Sequence, residues 1–259
     1  MAVRIYTRTL NYTTHLVEIY HSFCQSVSDG KEVRVVFCDV IRAFDRVWHK
    51  GLLFKLEKCG ISGSLLAWLK DYLHDRYQRV VLNGQMSTWE LTTAGVPQGS
   101  VLGPLLFLIF INDITYVIQH CKIRLYADDT TLFIEVDDRV RAAEQIDDDL
   151  NAISVWAKTW LVKFSPPKTE SLIISNKRRL HEHPPIHMDG SVLKEVTKHK
   201  HVGVTLSRNL SWHDHICDIE KRARYVLARL SQFKYTLDRR SLERVYLSCI
   251  RRGGVGCCG

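Results

Sequence analysis

The stretch LYADDTTLF, residues 125–133, sets Asp128 and Asp129 side by side between apolar flanks, with no basic residue among them. Burying one unpaired carboxylate costs several kcal/mol, and burying two together costs more, unless a cation neutralises them. The pair is therefore either the exposed tip of a turn, where aspartate is common anyway, or part of a metal site. A third carboxylate, Asp39, comes near the end of the apolar run EVRVVFCDV, residues 32–40. If the two segments are neighbours in one sheet, three carboxylates converge on one point. Mg²⁺ takes few carboxylates and completes its shell with water and substrate phosphates. Two such ions about 4 Å apart activate an attacking hydroxyl and stabilise a departing pyrophosphate.

The elements that must position these groups are legible from periodicity. Leu16, Ile19, Tyr20, Phe23 and Val27 recur at helical spacing over residues 11–28, and Asp29-Gly30 ends that helix. Residues 32–40 are β-branched and aromatic and predict a buried strand ending near Asp39. Helices are expected over residues 49–59 and 63–74, then a hairpin turning at Asn83-Gly84. After the loop GVPQGSVLGP comes an apolar helix over residues 105–118, then two short strands meeting at Asp128-Asp129. Residues 137–161 predict an amphipathic helix with Val140, Ile146, Leu150, Ile153, Trp156 and Trp160 inward and the acidic run Asp147–Asp149 outward in solvent. Strands follow at residues 171–175 and 201–207, and residues 213–250 are helical and basic. Strands and helices mix without regular alternation, which predicts an α+β sheet domain followed by a helical one.

At 259 residues with 46% hydrophobic content the chain can bury one large core or two modest ones. Thirty-six Lys plus Arg against 28 Asp plus Glu leave a formal net charge of +8, which favours a polyanionic partner without choosing one. The eight cysteines are scattered with no CxxC pair, against both a zinc module and a compact disulfide framework, and fit a reducing compartment. His181, His183, His187, His199 and His201, and the run His213-x-His215-x-Cys217, mimic metal-site spacings but read as solvated positions on short segments. The longest apolar run, Val101–Ile111, contains Gly103 and Pro104 and is about half the roughly 20 residues of a bilayer span. With no signal-peptide core in MAVRIYTRTLNYTT, a soluble intracellular protein of the nucleus or cytoplasm is expected, with no membrane association.

Four segments, FCDVIRAFDRVWH, GVPQGSVLGPLLFLIFINDI, LYADDTTLF and WLVKFSPPKTE, follow one another in order and together resemble the polymerase motifs of reverse transcriptases, specifically those of non-LTR (LINE-like) retrotransposons. The resemblance runs from about Asn11 to Ile250 and implies an α+β right-hand polymerase palm with partial fingers and the start of a helical thumb. It implies an RNA-directed DNA polymerase that takes an RNA template, a DNA primer and a dNTP, with two Mg²⁺ ions for which Mn²⁺ can substitute. Asp39 would be the first metal ligand and Asp128 the second, with Asp129 beside them and Val40 lending its backbone carbonyl. Phe44 would lie under the sugar and exclude a 2′-hydroxyl. In GVPQGS, glycines such as Gly99 would let backbone approach nucleic acid, Pro97 would stiffen the turn, and Gln98 would offer donor and acceptor near the templating pair. Lys168 would protonate the leaving pyrophosphate. Gly203, in HKHVGVTLS, would mark the turn of a primer-holding segment, and the basic helices after Trp212 would contact phosphates.

On this resemblance residues 1–31 are expected to be a residual N-terminal helix of truncated fingers. Residues 32–207 would be the palm, with finger elements near 62–94, residues 208–250 a thumb-like helical segment, and the Gly- and Cys-rich residues 251–259 an aberrant tail. Basic residues that hold the triphosphate in the family's fingers have no counterpart before Asp39. An inactive or repurposed fragment that binds nucleic acid without polymerising is the alternative. Arg42, Ser165 and Ser207 stand where the family favours Lys, Asn and Asp; none touches the metal ligands.

Overall fold

The computed structural model describes residues 12–177, 181–232, 236 and 238–251. Most of the expected tail and the first eleven residues lie outside them. Helix α1 (Tyr12–Ser28) leads into strand β1 (Glu32–Cys38), a 3₁₀ turn (Phe44–Arg46), and helices α2 (His49–Lys58) and α3 (Gly63–Leu73). A ribbon of two-residue strands follows: β2 (Tyr77–Gln78), β3 (Val81–Leu82), β4 (Gln85–Met86) and β5 (Glu90–Leu91). Then come α4 (Leu102–Ile111), a 3₁₀ turn (Asn112–Tyr116), β6 (Lys122–Tyr126), β7 (Asp129–Val136), α5 (Arg139–Trp160) and β8 (Glu170–Ile174). The chain continues through β9 (His187–Met188), β10 (Ser191–Val192), β11 (Lys194–Val196), β12 (Lys198–His201) and β13 (Val204–Ser207) to helices α6 (His213–Gln232) and α7 (Arg239–Val245).

Five strands form the central sheet in the order β11-β8-β1-β7-β6. Strand β1 lies in its middle and is buried at every residue, because both faces are covered. Val33, Val35 and Phe37 pack with Ile19 and Phe23 of α1, where Phe23 meets Phe133 edge-on at 5.2 Å. Val36 and Cys38 point the other way, into the larger core formed with α2, α4 and α5. Asn83 and Gly84 both take positive φ, as a two-residue hairpin turn requires. Among the described residues no helix is long and apolar enough to cross a membrane.

Three local expectations change. The apolar helix begins at Leu102 rather than residue 105, since Pro104 falls in the first turn, where backbone N–H groups have no intrahelical partner; past Ile111 it tightens into the 3₁₀ turn. Val140 faces solvent in the first turn of α5. The acidic run is only partly a solvated face: Asp148 is exposed, but Asp149 is buried and Asp147 binds His187.

Of the histidines, His181, His187 and His213 are exposed as expected, but His199 and His201 are packed inside. His199 stacks on Phe37 at 3.8 Å, and buried His201 meets buried His15 of α1 with 3.4 Å between their Nε2 atoms. Burial, with the facing rings of His15 and His199, pushes the His201 pKa down to about 3. An unfolded histidine takes its proton near pH 6.5, so the unfolded chain binds more protons across that window and stability is lost as the pH falls through it. In urea titrations from about pH 7 to about pH 4, His201→Leu is expected to lose less stability than the parent. Parallel curves would show that His201 does not contribute.

Candidate active site

Strand pairing brings the three aspartates together. Strand β1 runs antiparallel to β7 with Cys38 opposite Thr130, and one further step sets Asp39 against Asp129. Strands β6 and β7 close with Tyr126 opposite Asp129, leaving Ala127 and Asp128 as a two-residue turn. Ala127 takes φ of 50°, a left-handed conformation that costs a non-glycine residue about 1–2 kcal/mol. Partial burial of the Asp129 carboxyl, with repulsion from Asp128 and then Asp39, pushes its pKa up to about 6.

On the other side of β1, pairing with β8 ends at Phe37 and Glu170, and the turn before it carries exposed Lys168 to 3.9 Å from Asp39 Oδ2. The segment before β8 also holds the backbone of Asp39. Ser165 N–H donates to the Asp39 carbonyl (2.9 Å), and Asp39 N–H donates to the hydroxyl of fully buried Thr169 (3.4 Å). Val40 is buried and bridges Phe164.

The loop from Gly95 to Ser100 docks on the 3₁₀ turn that follows Asp39. Gly95 N–H donates to the Val47 carbonyl (2.9 Å), Val96 N–H to the Phe44 carbonyl (2.8 Å) and Gln98 Nε2 to Asp45 Oδ1 (2.8 Å). The Phe44 ring is half-buried against Phe107, with centroids 4.7 Å apart. Gly95 has φ of 92°, and a Cβ there would stand 2.8 Å from the Asp45 carbonyl oxygen. This glycine serves protein–protein contact within the chain. Gly99, with φ of 80° and open space around it, leaves its backbone accessible. Pro97 accepts the Ser100 hydroxyl (2.7 Å), which in turn accepts Gly103 N–H (2.9 Å), so the loop is braced onto α4.

Gly203 sits with Val202 at the tip of the β12–β13 hairpin, both at positive φ. The hairpin connects to the aspartate turn through His201, then His15, whose ring lies 5.2 Å from that of Tyr126.

Among the described residues, no three His, Cys, Asp or Glu side chains are grouped closely enough to enclose an ion. Three carboxylates near enough to repel one another, open to solvent on one side, fit a hard divalent cation that draws its remaining oxygens from water and phosphate.

A family model described as Reverse transcriptase (RNA-dependent DNA polymerase) matches residues 7–223. The chain belongs to that family. Among curated relatives of this reverse transcriptase chain, the probable RNA-directed DNA polymerase from transposon BS of Drosophila melanogaster is 31% identical over 239 residues, covering 87% of this chain and 26% of the relative. The RNA-directed DNA polymerase from mobile element jockey of the same species is 33% identical over 218 residues, covering 81% of this chain and 24% of the relative. The chain thus spans about a quarter of the length of these relatives. A solved apo telomerase from Candida tropicalis, truncated from its C-terminal domain, superposes with a TM-score of 0.54 at 12% identity, over 78% of this chain and 40% of that one. At that identity the likeness shows the shared reverse-transcriptase-like α+β fold, as expected from the motifs.

Three residues that support this candidate site carry little signal in the sequence. Thr169 and His15 carry no local signal, because their partners lie 130 and 186 residues away. Asp45 was visible inside AFDRV, but nothing in that stretch points to Gln98.

Proposed function

We propose that this chain is the polymerase core of a mobile-element RNA-directed DNA polymerase, which joins a deoxynucleotide to a primer 3′-hydroxyl opposite an RNA template. The observation that carries the reading is the meeting of Asp39, Asp128, Asp129 and Lys168 at one end of the sheet, on strands that a buried core holds in place. Residues 32–207 are then the palm, with finger elements near 62–94, and residues 208–250 the start of a thumb.

Bound divalent ions, Mg²⁺ with Mn²⁺ able to substitute, would lower the pKa of the attacking hydroxyl and neutralise charge on the phosphates. Asp39, Asp128 and the Val40 carbonyl would hold them, with Asp129 alongside. Lys168 is 72% exposed on its own turn, free to follow the leaving pyrophosphate and deliver a proton to it. Gln98, Pro97 and Gly99 border the nucleotide and template. The hairpin turning at Gly203 would support the primer end, and helix α6, which buries none of its side chains, offers Lys221, Arg222, Arg224 and Arg229 for sequence-independent phosphate contacts.

Extension of a labelled DNA primer on an RNA template tests the reading. Product is expected with Mg²⁺ and dNTPs and none after chelation. A folded chain that binds the template–primer but never extends it would show the binding fragment instead.

Phe44 would act as the sugar gate; what supports this is a ring packed on Phe107 that cannot swing away cheaply. Phe44→Val is expected to raise ribonucleotide use relative to deoxynucleotide by about a hundredfold, roughly 2.7 kcal/mol in differential barrier. Competition kinetics with matched rNTP and dNTP check it, and unchanged selectivity removes Phe44 from that role.

A further inference from the structure

We infer that Asp45 is a positioning residue that fixes the side-chain amide of Gln98 and so sets the hydrogen-bonding polarity of the nucleotide site. The inference rests on the polymerase reading for what Gln98 faces, but not for the contact itself. Both side chains are exposed, and they meet across two segments far apart in sequence, with Gln98 Nε2 donating to Asp45 Oδ1 at 2.8 Å. An ionised carboxylate only accepts hydrogen bonds, whereas an amide both donates and accepts. Asp45 therefore selects one of the two faces of the Gln98 amide: NH₂ turns toward the carboxylate, and Oε1 turns away from it.

An exposed pair of this kind would be worth little if both chains moved freely. Here the backbone is already committed on each side. Val96 N–H binds the Phe44 carbonyl and Gly95 N–H binds the Val47 carbonyl, so the residues flanking Asp45 are stitched to the start of the Gln98 loop. Gly95 lies close enough to the Asp45 backbone that a Cβ could not fit. The Ser100 hydroxyl braces the far side of the loop through Pro97 and Gly103. The hydrogen bond therefore has only side-chain torsions to order, on a backbone already held, one residue along the chain from Phe44.

The result is a glutamine whose amide oxygen is turned away from Asp45 and left to accept from a ligand, held by a residue that need not touch the nucleotide itself. A group pre-ordered this way lowers the entropy cost of binding rather than the chemical barrier, so its loss falls on KM.

Three measurements test this. In primer extension Asp45→Ala is expected to raise KM for the correct dNTP about tenfold with kcat within about twofold, and Asp45→Asn, which keeps an acceptor oxygen, to restore most of the loss. In a Gln98→Ala background Asp45→Ala is expected to add nothing further, since its effect passes through Gln98. An unchanged KM, or a full Asp45→Ala effect without Gln98, overturns the inference. The third measurement needs no catalysis. The two Gln98 Nε2 protons, assigned by their loss in Gln98→Ala, are expected to resonate well apart in ¹⁵N-edited spectra and to converge in Asp45→Ala. A pair that does not change overturns the inference. A pair that converges as expected in a chain that makes no product upholds the contact, and the polymerase reading fails instead.

Discussion

Asp128→Ala is expected to lower the rate of primer extension by about three orders of magnitude or more, equivalent to roughly 4 kcal/mol of transition-state stabilisation. Asp128 lies exposed in the two-residue turn between β6 and β7, so its removal costs the fold little. It also leaves β1 and β7 paired, with Asp39 still opposite Asp129. On the proposed polymerase reading the effect therefore falls on chemistry, because one of the three carboxylates that would meet the divalent ions is gone. Steady-state extension, together with a thermal melt that matches the parent, is the measurement. Undiminished synthesis by the variant would remove Asp128 from the site.

The largest stability effect is expected away from the chemistry. Asp149 is 1% exposed, and its carboxylate accepts backbone N–H groups from Gln119, His120 and Cys121, at 2.7 to 2.9 Å for the shortest bonds to Gln119 and Cys121. These amides lead directly into β6, the strand that delivers Tyr126 to the aspartate turn. Asp149→Ala leaves three such groups without a partner and is expected to cost about 3–4 kcal/mol, with Asp149→Asn intermediate because one acceptor oxygen survives. Urea denaturation at neutral pH measures both. A loss below about 1 kcal/mol in the alanine variant would mean that water replaces the carboxylate without penalty.

Asp149 also shows where reading the chain misleads and why. A run of three acidic residues suggests a solvated face, yet Asp149 lies three residues after Ile146 and four before Ile153, on the stripe that α5 buries. The spacing carried the signal and the residue type overrode it. The histidines misled in the same way: His201 alternates with His199 on a short strand, but α1 covers it, and that cover cannot be seen from residues 181–201 alone. Gly95 is legible in GVPQGS as a glycine that permits close backbone approach, and only the tertiary structure supplies its partner, the backbone of Asp45.

What the sequence determined by itself was local: helices α1, α2, α3 and α5 within a few residues and the presence of α4, strands β1, β7 and β8, the Asn83-Gly84 turn, one carboxylate just past β1 and a pair at the junction of β6 and β7. Periodicity and turn chemistry act over a few residues, so that information lies in the stretch being read. The tertiary structure decided which strands are neighbours. With β1 placed between β8 and β7, Lys168 comes from one side and Asp129 from the other to flank Asp39, and the loop at Gln98 closes on Asp45. Those meetings depend on contacts between segments far apart in sequence, 53 residues for Gln98 and Asp45 and more for the β1 pairings, and on a core that is buried only when all of them are in place.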